Sequence, residues 1–458
     1  MKKVGIWGLI LLLAFGTTSC GRNQNQTDNG SIMGEQTGGG RVYYLNFKPE
    51  LDAQWKELAK AYTKETGVEV TVLTAASGTY EEKLKSEIAK KEAPTIFSVN
   101  GPVGLSTWEN YCYDLSKTEL FDHLTGDFYL TGQNQEVAAI AYALETYGLI
   151  YNKKIMADYC TLDNAVISSA KEIENFETLK AVADDIQKRK EELNQKFGYQ
   201  LKGAFSSAGL EDTSYWRFTT HLANMPIYYE YKDLGVEQAA EIQGTYLENY
   251  KNLWDLYITD GTVAPGLLSN STVDESEAEF GMQEAVFFQN GDWEYANLTN
   301  EDNGYLVSAS DLGMLPLYTG VDGEESIGLC TGSETYWCVN RQASQEDIDA
   351  SIAFLEWCIT SDTGRKSIAK DMGLAAPFDT FSEEYQVENV FKAEANQYIA
   401  AGKTAVPWYF STIPSENWKR QLTSALIEYS QGTATWEEVK TAFVDGWKRE
   451  AMAAQTAQ

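Results

Sequence analysis

Between Val42 and Val99 the chain switches hydrophobic period four times, and this alternation limits the fold more than any other feature. Val42 to Phe47 (VYYLNF) reads as a strand. Leu51, Trp55, Leu58, Ala59 and Tyr62 then recur at helical spacing until Gly67 stops the helix. Val68 to Leu73 (VEVTVL) is a second strand, and Ser77-Gly78-Thr79 turns into a helix carrying Tyr80, Leu84 and Ile88. Pro94 introduces a third strand, Thr95 to Val99. Successive parallel strands need a crossover, and the helices that supply it cover the sheet. The fold class is therefore α/β.

Beyond residue 100 the pattern changes. Val137 to Leu144 is apolar and strand-like, and Tyr147 to Asn152 continues it past Glu145. Ile173, Phe176, Leu179, Val182 and Ile186 lie on one face of a predicted helix from about Lys171 to Lys196, and a further helix runs from Gly244 to Asp260. Glu284 to Asn290 returns to strand, Leu312 to Leu317 is extended, and Tyr336 to Val339 is another strand. Asp347 to Thr360 is helical. Two helices close the chain, and Thr435 with Glu438 forms a capping box ahead of Val439, Phe443 and Trp447.

Composition excludes several functions. The chain has 67 acidic against 36 basic residues, a formal net charge of −31. Nucleic acid and anionic lipid repel such a surface, so neither is an expected partner. Two histidines, His123 and His221, leave little for histidine catalysis or a histidine-rich metal site. Beyond Cys20 there are five cysteines, Cys112, Cys160, Cys330, Cys338 and Cys358, spaced as no zinc or redox motif. Cys330 and Cys338 are near enough in sequence to meet across a hairpin, but buried thiols are the commoner state. No cofactor and no metal is expected. The 12 Trp and 27 Tyr are numerous for an acidic chain and suit a site that stacks on flat apolar ligand faces.

The N-terminus reads as an address. Lys2 and Lys3 precede an apolar run from Val4 to Phe15, shorter than the roughly 20 residues a membrane-spanning helix needs. Gly16-Thr17-Thr18-Ser19 and then Cys20-Gly21 resemble a bacterial lipobox, with Thr17 where an aliphatic residue is usual. The expectation is a signal peptide over 1–19, lipid (palmitate) on Cys20, and a flexible Asn, Gln, Gly, Ser and Thr tether over 20–40. About 420 residues follow, enough for two or three lobes.

Four stretches carry a family likeness. Gly67-Val68-Glu69-Val70 follows an amphipathic helix, and Leu144-Glu145-Thr146-Tyr147-Gly148-Leu149-Ile150-Tyr151-Asn152-Lys153 ends in a YNK step. Glu284 to Trp293 (EAVFFQNGDW) and Pro414 to Gly432 complete the set. The order resembles the extracellular solute-binding proteins of ABC importers, in the maltose- and oligosaccharide-binding branch. That resemblance implies a two-lobed fold with the ligand in the cleft, buried by hinge closure. Lobe I is expected over 41–148 plus 312–372, and lobe II over 149–311 plus 373–458. It also implies a monomeric, non-catalytic carbohydrate receptor delivering an oligosaccharide to importer permease subunits.

Sugars need aromatic faces for their C–H surfaces and polar groups for their hydroxyls. Trp293 follows Gly291 at the end of a buried strand, at the edge where open α/β sheets place ligands. Asp292 either bonds hydroxyls or caps the next turn. Asn100, before Gly101-Pro102, ends the third strand as a ligand contact or a turn residue, and Asn46 and Lys48 follow the first strand. Glu145 is a carboxylate in an apolar run, normally paired or functional. Trp216 adjoins Tyr215, so at most one of the two faces the core. Spacing with Leu422, Ala425, Leu426 and Tyr429 makes Trp418 core, whereas the family likeness places an aromatic sugar platform there. Trp408 and Tyr409 follow Pro407 in a loop, and Thr79 and Tyr80 sit at a helix start whose N–H groups are unpaired.

Two other functions compete. A glycoside hydrolase needs two carboxylates about 5 to 9.5 Å apart across a cleft, and no such pair is recognisable at the strand ends. A receptor for a polyamine or peptide would also suit an acidic body.

Overall fold

The computed structural model describes residues 39–76 and 79–457; the signal segment, Cys20 and nearly all of the tether lie outside them. Eleven strands among the described residues form two sheets. The first contains β1 (Val42–Asn46), β2 (Val70–Thr74), β3 (Ile96–Asn100), β4 (Tyr129–Thr131), β5 (Val137–Ala141) and β10 (Thr335–Val339), in the order β2-β1-β3-β10-β5-β4. The second contains β6 (Glu145–Asn152), β7 (Phe287–Gly291), β8 (Leu312–Leu315), β9 (Ile327–Gly332) and β11 (Thr404–Val406), in the order β11-β9-β6-β7 with β8 also paired to β6.

The predicted alternation holds at the start. β1 is parallel to β2 and β3, and helices Asp52–Thr66 and Tyr80–Ile88 supply the crossovers. Gly67 ends the first helix at φ +78°, a conformation open to glycine without strain. Beyond β3 most pairings are antiparallel, with β11 beside β9 a parallel exception. β10 runs antiparallel to both β3 and β5, and β6 runs antiparallel to β7, β8 and β9. The cause is connectivity: these strands enter their sheet from the other sheet rather than through a helical crossover.

Three segments make that passage. Residues 142–144 lead from β5 to β6. Ser333 and Glu334 lead from β9 back to β10, and the segment around 373–390 leads away from the first sheet again. Leu144 ties the first and third together, its N–H donating to Ala375 O at 2.7 Å. The expected lobe limits at 148/149 and 311/312 do not coincide with these crossings. All of β6 from Glu145 belongs to the second sheet, and so do β8 and β9, which had been grouped with the first lobe. Gly313 makes the β8 pairing possible, because a Cβ there would lie 2.4 Å from the Tyr151 ring.

Each sheet has its own aromatic core. In the first, Tyr142 stacks on Trp337 (4.5 Å, 12°), with Trp55 packed edge-on. In the second, the long helix Phe176–Phe197, capped by Asn175 and ended by Gly198 at φ +83°, buries Phe176, Leu179, Val182 and Ile186. The sequence placed that helix a few residues early. The Cys330–Cys338 pairing does not form: Cys330 is in the second sheet, Cys338 is in the first, and both are free thiols. Among the described residues no helix is long and apolar enough to cross a membrane.

Candidate functional site

The crossings and the ends of β3, β6 and β7 bring a set of aromatic and charged side chains together. β7 ends at Gly291, and the turn Asp292–Glu294 follows. The Trp293 indole folds back over Gly291, where a Cβ would lie 2.1 Å from the ring. Only glycine leaves that position open. Trp293 is half-buried and lies 6.2 Å from Trp216, also half-buried. Tyr215 turns into the core beside it, so the two neighbours divide as expected.

Trp216 precedes a π-helical turn, Arg217–Leu222, and such turns recur at functional sites. The turn delivers His221 to the centre of a ring cluster. His221 stacks on Tyr147 (4.1 Å, 15°) and lies 5.0 Å from Trp216, 5.4 Å from Trp293, 5.2 Å from Phe410 and 6.2 Å from Trp408. Burial, then the charge of Arg217, holds its imidazole well below the usual histidine range, so it is neutral at physiological pH. Gly332, the last residue of β9, accepts the Trp408 ring: a Cβ there would lie 2.7 Å from the indole.

Beside the aromatics runs a line of buried ion pairs. Lys48 Nζ donates to Glu145 at 2.7 Å and lies 3.7 Å from Glu50. Burial pulls the lysine down, but those carboxylates outweigh it and hold Lys48 above its ordinary value. Asp292 accepts from Thr146 N at 3.0 Å and pairs with Lys392 at 2.6 Å, and Lys392 also donates to Leu144 O. Burial raises the Asp292 carboxyl to about 6, although Lys392 opposes the shift. At the second crossing Asn100 donates to Glu334 at 2.6 Å while its own Oδ1 is buried without a partner. Glu145, Asp292 and Trp293 line a recess of about 400 Å³, whose other walls include Glu50, Asn389 and residues 369–374.

Among the candidates from sequence, Trp293, Asp292, Glu145, Lys48, Trp216, Trp408 and Asn100 converge on this region. Three are structural. Trp418 is 0% exposed, donates to Phe443 O at 2.8 Å and packs edge-on against Phe443 and Trp447. Its periodicity gave the correct reading, and it has no free face for a sugar. Tyr80 spends its hydroxyl inside the first sheet, donating to Leu45 O and accepting from Ser98 N. Asn46 is fully buried and closes a turn by donating to Lys48 O and accepting from Lys48 N. Sequence reasoning missed His221, Phe410, Glu334 and Lys392. The only signal for His221 was its scarcity.

Two sheets joined by three crossings meet at an edge lined with aromatic rings and satisfied ion pairs. The frame is that of a solute receptor. The family described as bacterial extracellular solute-binding protein matches residues 57–397, and the chain belongs to that family, whose work lies outside the cytoplasm. A sequence search of curated proteins found no match. Solved structures share the two-lobed frame. A chitin oligosaccharide binding protein superposes with a TM-score of 0.71 at 15% identity, over 91% of this chain and 99% of that one. RafE in complex with raffinose gives 0.65 at 15% identity over 89% and 99%. A sugar transporter from Bacillus licheniformis in complex with stachyose gives 0.65 at 14% identity over 90% and 100%.

Proposed function

We propose that this protein is a non-catalytic receptor for an oligosaccharide, which it captures by closing its lobes and passes to the permease subunits of an ABC importer. The observation that carries the reading is the pair of half-buried indoles, Trp293 and Trp216, beside a recess lined with hydrogen-bonding groups. Pyranose rings present flat C–H faces that indoles cover, and polar neighbours replace the water lost by hydroxyls. Similar folds bind chitin oligosaccharide, raffinose and stachyose, which supports this class of ligand. Strand membership supports one lobe over 39–143 plus 334–372 and another over 145–332 plus 390–457, hinged at the crossings.

In this reading Cys20 carries lipid and the tether holds the monomeric body close to the importer at high local concentration. Glu145 and Asp292 are each held by a lysine, which suits binding better than proton donation to a glycosidic oxygen.

Thermal shift of the purified protein against neutral oligosaccharides, spermidine and peptides tests the proposal, with product analysis of the same mixtures. Stabilisation by an oligosaccharide that remains intact is the expected result. Cleavage of the sugar, or a shift with spermidine alone, overturns it.

A further inference from the structure

The ring cluster contains two polar atoms that the fold itself does not use. His221 is 3% exposed and Trp408 is 6% exposed, yet His221 Nδ1 and Trp408 Nε1 have no hydrogen-bond partner. Buried polar groups are normally paired, because leaving one without a partner forfeits the hydrogen bond it had to water. Here two occur in neighbouring rings whose centroids are 6.2 Å apart. One oxygen with hydrogen bonds of about 2.9 Å bridges two nitrogens up to about 5.8 Å apart, a reach that neighbouring rings whose nitrogens face the same space bring within range. Both rings touch Trp293, one of the two indoles assigned above to sugar stacking.

The groups around them select the chemistry of that oxygen. The indole N–H only donates, and a neutral imidazole nitrogen can accept. An alcohol hydroxyl does both, accepting from Trp408 and donating to His221. A carboxylate can only accept. An ammonium meets the opposite difficulty, because Arg217 stands in the same turn, fully buried. Its guanidinium donates to Ala208 O at 2.5 Å and Ser276 Oγ at 3.1 Å, and no carboxylate lies within ion-pair distance of it among the described residues. Glu294 and Glu279 offset that charge from beyond ion-pair distance without removing it, and what remains disfavours a second cation.

Resting on the receptor reading above, we propose that His221 and Trp408 together recognise one uncharged hydroxyl of the sugar stacked on Trp293, so that the site selects neutral sugars over amino sugars and uronates. The two residues set specificity rather than supply the stacking surface.

Calorimetric titration of the purified protein tests this with raffinose, stachyose, maltotriose and xylotriose, together with the trimers of glucosamine and galacturonic acid. The wild type binds at least one neutral sugar and binds both charged trimers at least a hundredfold more weakly. His221→Phe and Trp408→Phe keep a ring in place and each weaken the best neutral sugar about tenfold. One monodeoxy derivative of that sugar binds wild type and both variants alike, an equality that a merely structural role would not produce. Tight binding of a charged trimer, or unchanged affinity for the parent sugar in both variants, overturns the inference while leaving the receptor standing. Binding of no sugar by the wild type removes the receptor reading itself.

Discussion

The Trp293 indole lies directly on the backbone of Gly291, and a single methyl group on that glycine would fall 2.1 Å from the ring. The residue that ends β7 therefore sets the tilt of the indole, because only a residue without a Cβ leaves room for the ring. Gly291→Ala is expected to leave the melting temperature within a few degrees and to weaken oligosaccharide binding about tenfold, in proportion to the loss of aligned stacking. Intrinsic tryptophan fluorescence during titration checks it. An alanine variant with wild-type affinity would show that Trp293 is free to move without cost.

Trp418 and Trp293 should separate stability from binding. Trp418→Ala removes a fully buried indole and its hydrogen bond to Phe443 O, and it should cost about 3–5 kcal/mol in denaturant unfolding. Its folded fraction should still bind sugar. Trp293→Ala should lose the ligand-induced shift with an unfolding free energy close to wild type. The reverse pattern would return Trp418 to the cleft.

The lobes touch where Gly101, at φ +60°, meets Ser411: a Cβ on the glycine would lie 2.6 Å from Ser411 Cβ and 3.6 Å from its Cα. Gly101→Ala should hold the lobes apart and weaken binding about tenfold. Adding Ser411→Gly removes the colliding atom and should restore most of the affinity. The φ cost of about 1 kcal/mol remains in both and is read separately from the melting curve. No recovery in the double variant would mean that this contact is irrelevant to closure.

Asp292 makes a pH prediction whose sign is fixed. Its carboxyl is raised to about 6 in the fold against an ordinary 3.8, so between those values the folded protein holds a proton that the unfolded chain releases. Its favourable contribution is complete below pH 4 and is lost as pH rises through 6, by roughly 3 kcal/mol. Asp292→Asn keeps an acceptor for Thr146 N and removes the titration. The stability of the variant relative to wild type should therefore climb from pH 4 to pH 6 and level off above 7. A difference that is flat across that range would place the Asp292 carboxyl near its ordinary value.

The legible part of this molecule is the part set by neighbours in sequence. The β1 to β3 alternation, the helix stop at Gly67, the emergence of Trp293 after Gly291 and the burial of Trp418 were all present in local spacing. What sequence could not show was juxtaposition. Leu312–Leu315 reads as extended, but no periodicity tells which sheet will accept it, and the accommodating partner is Tyr151, far away in sequence. His221 stands among rings from β6, the turn after β7 and the loop after β11, so its neighbourhood exists only once the chain has made all three crossings. Asn46 and Tyr80 looked available because they sit at element ends. Their polar atoms are claimed by backbone groups that only the folded sheet brings within reach.

The position of β10 dictates an order of assembly. It lies between β3 and β5 and hydrogen-bonds to both, yet it is synthesised after β6 to β9. During export the first sheet must wait with an open slot at its centre while most of the other lobe emerges. The first sheet therefore cannot close until most of its partner lobe has emerged, and a chain interrupted ahead of Thr335 presents two unpaired inner strand edges to the proteases and chaperones outside the membrane.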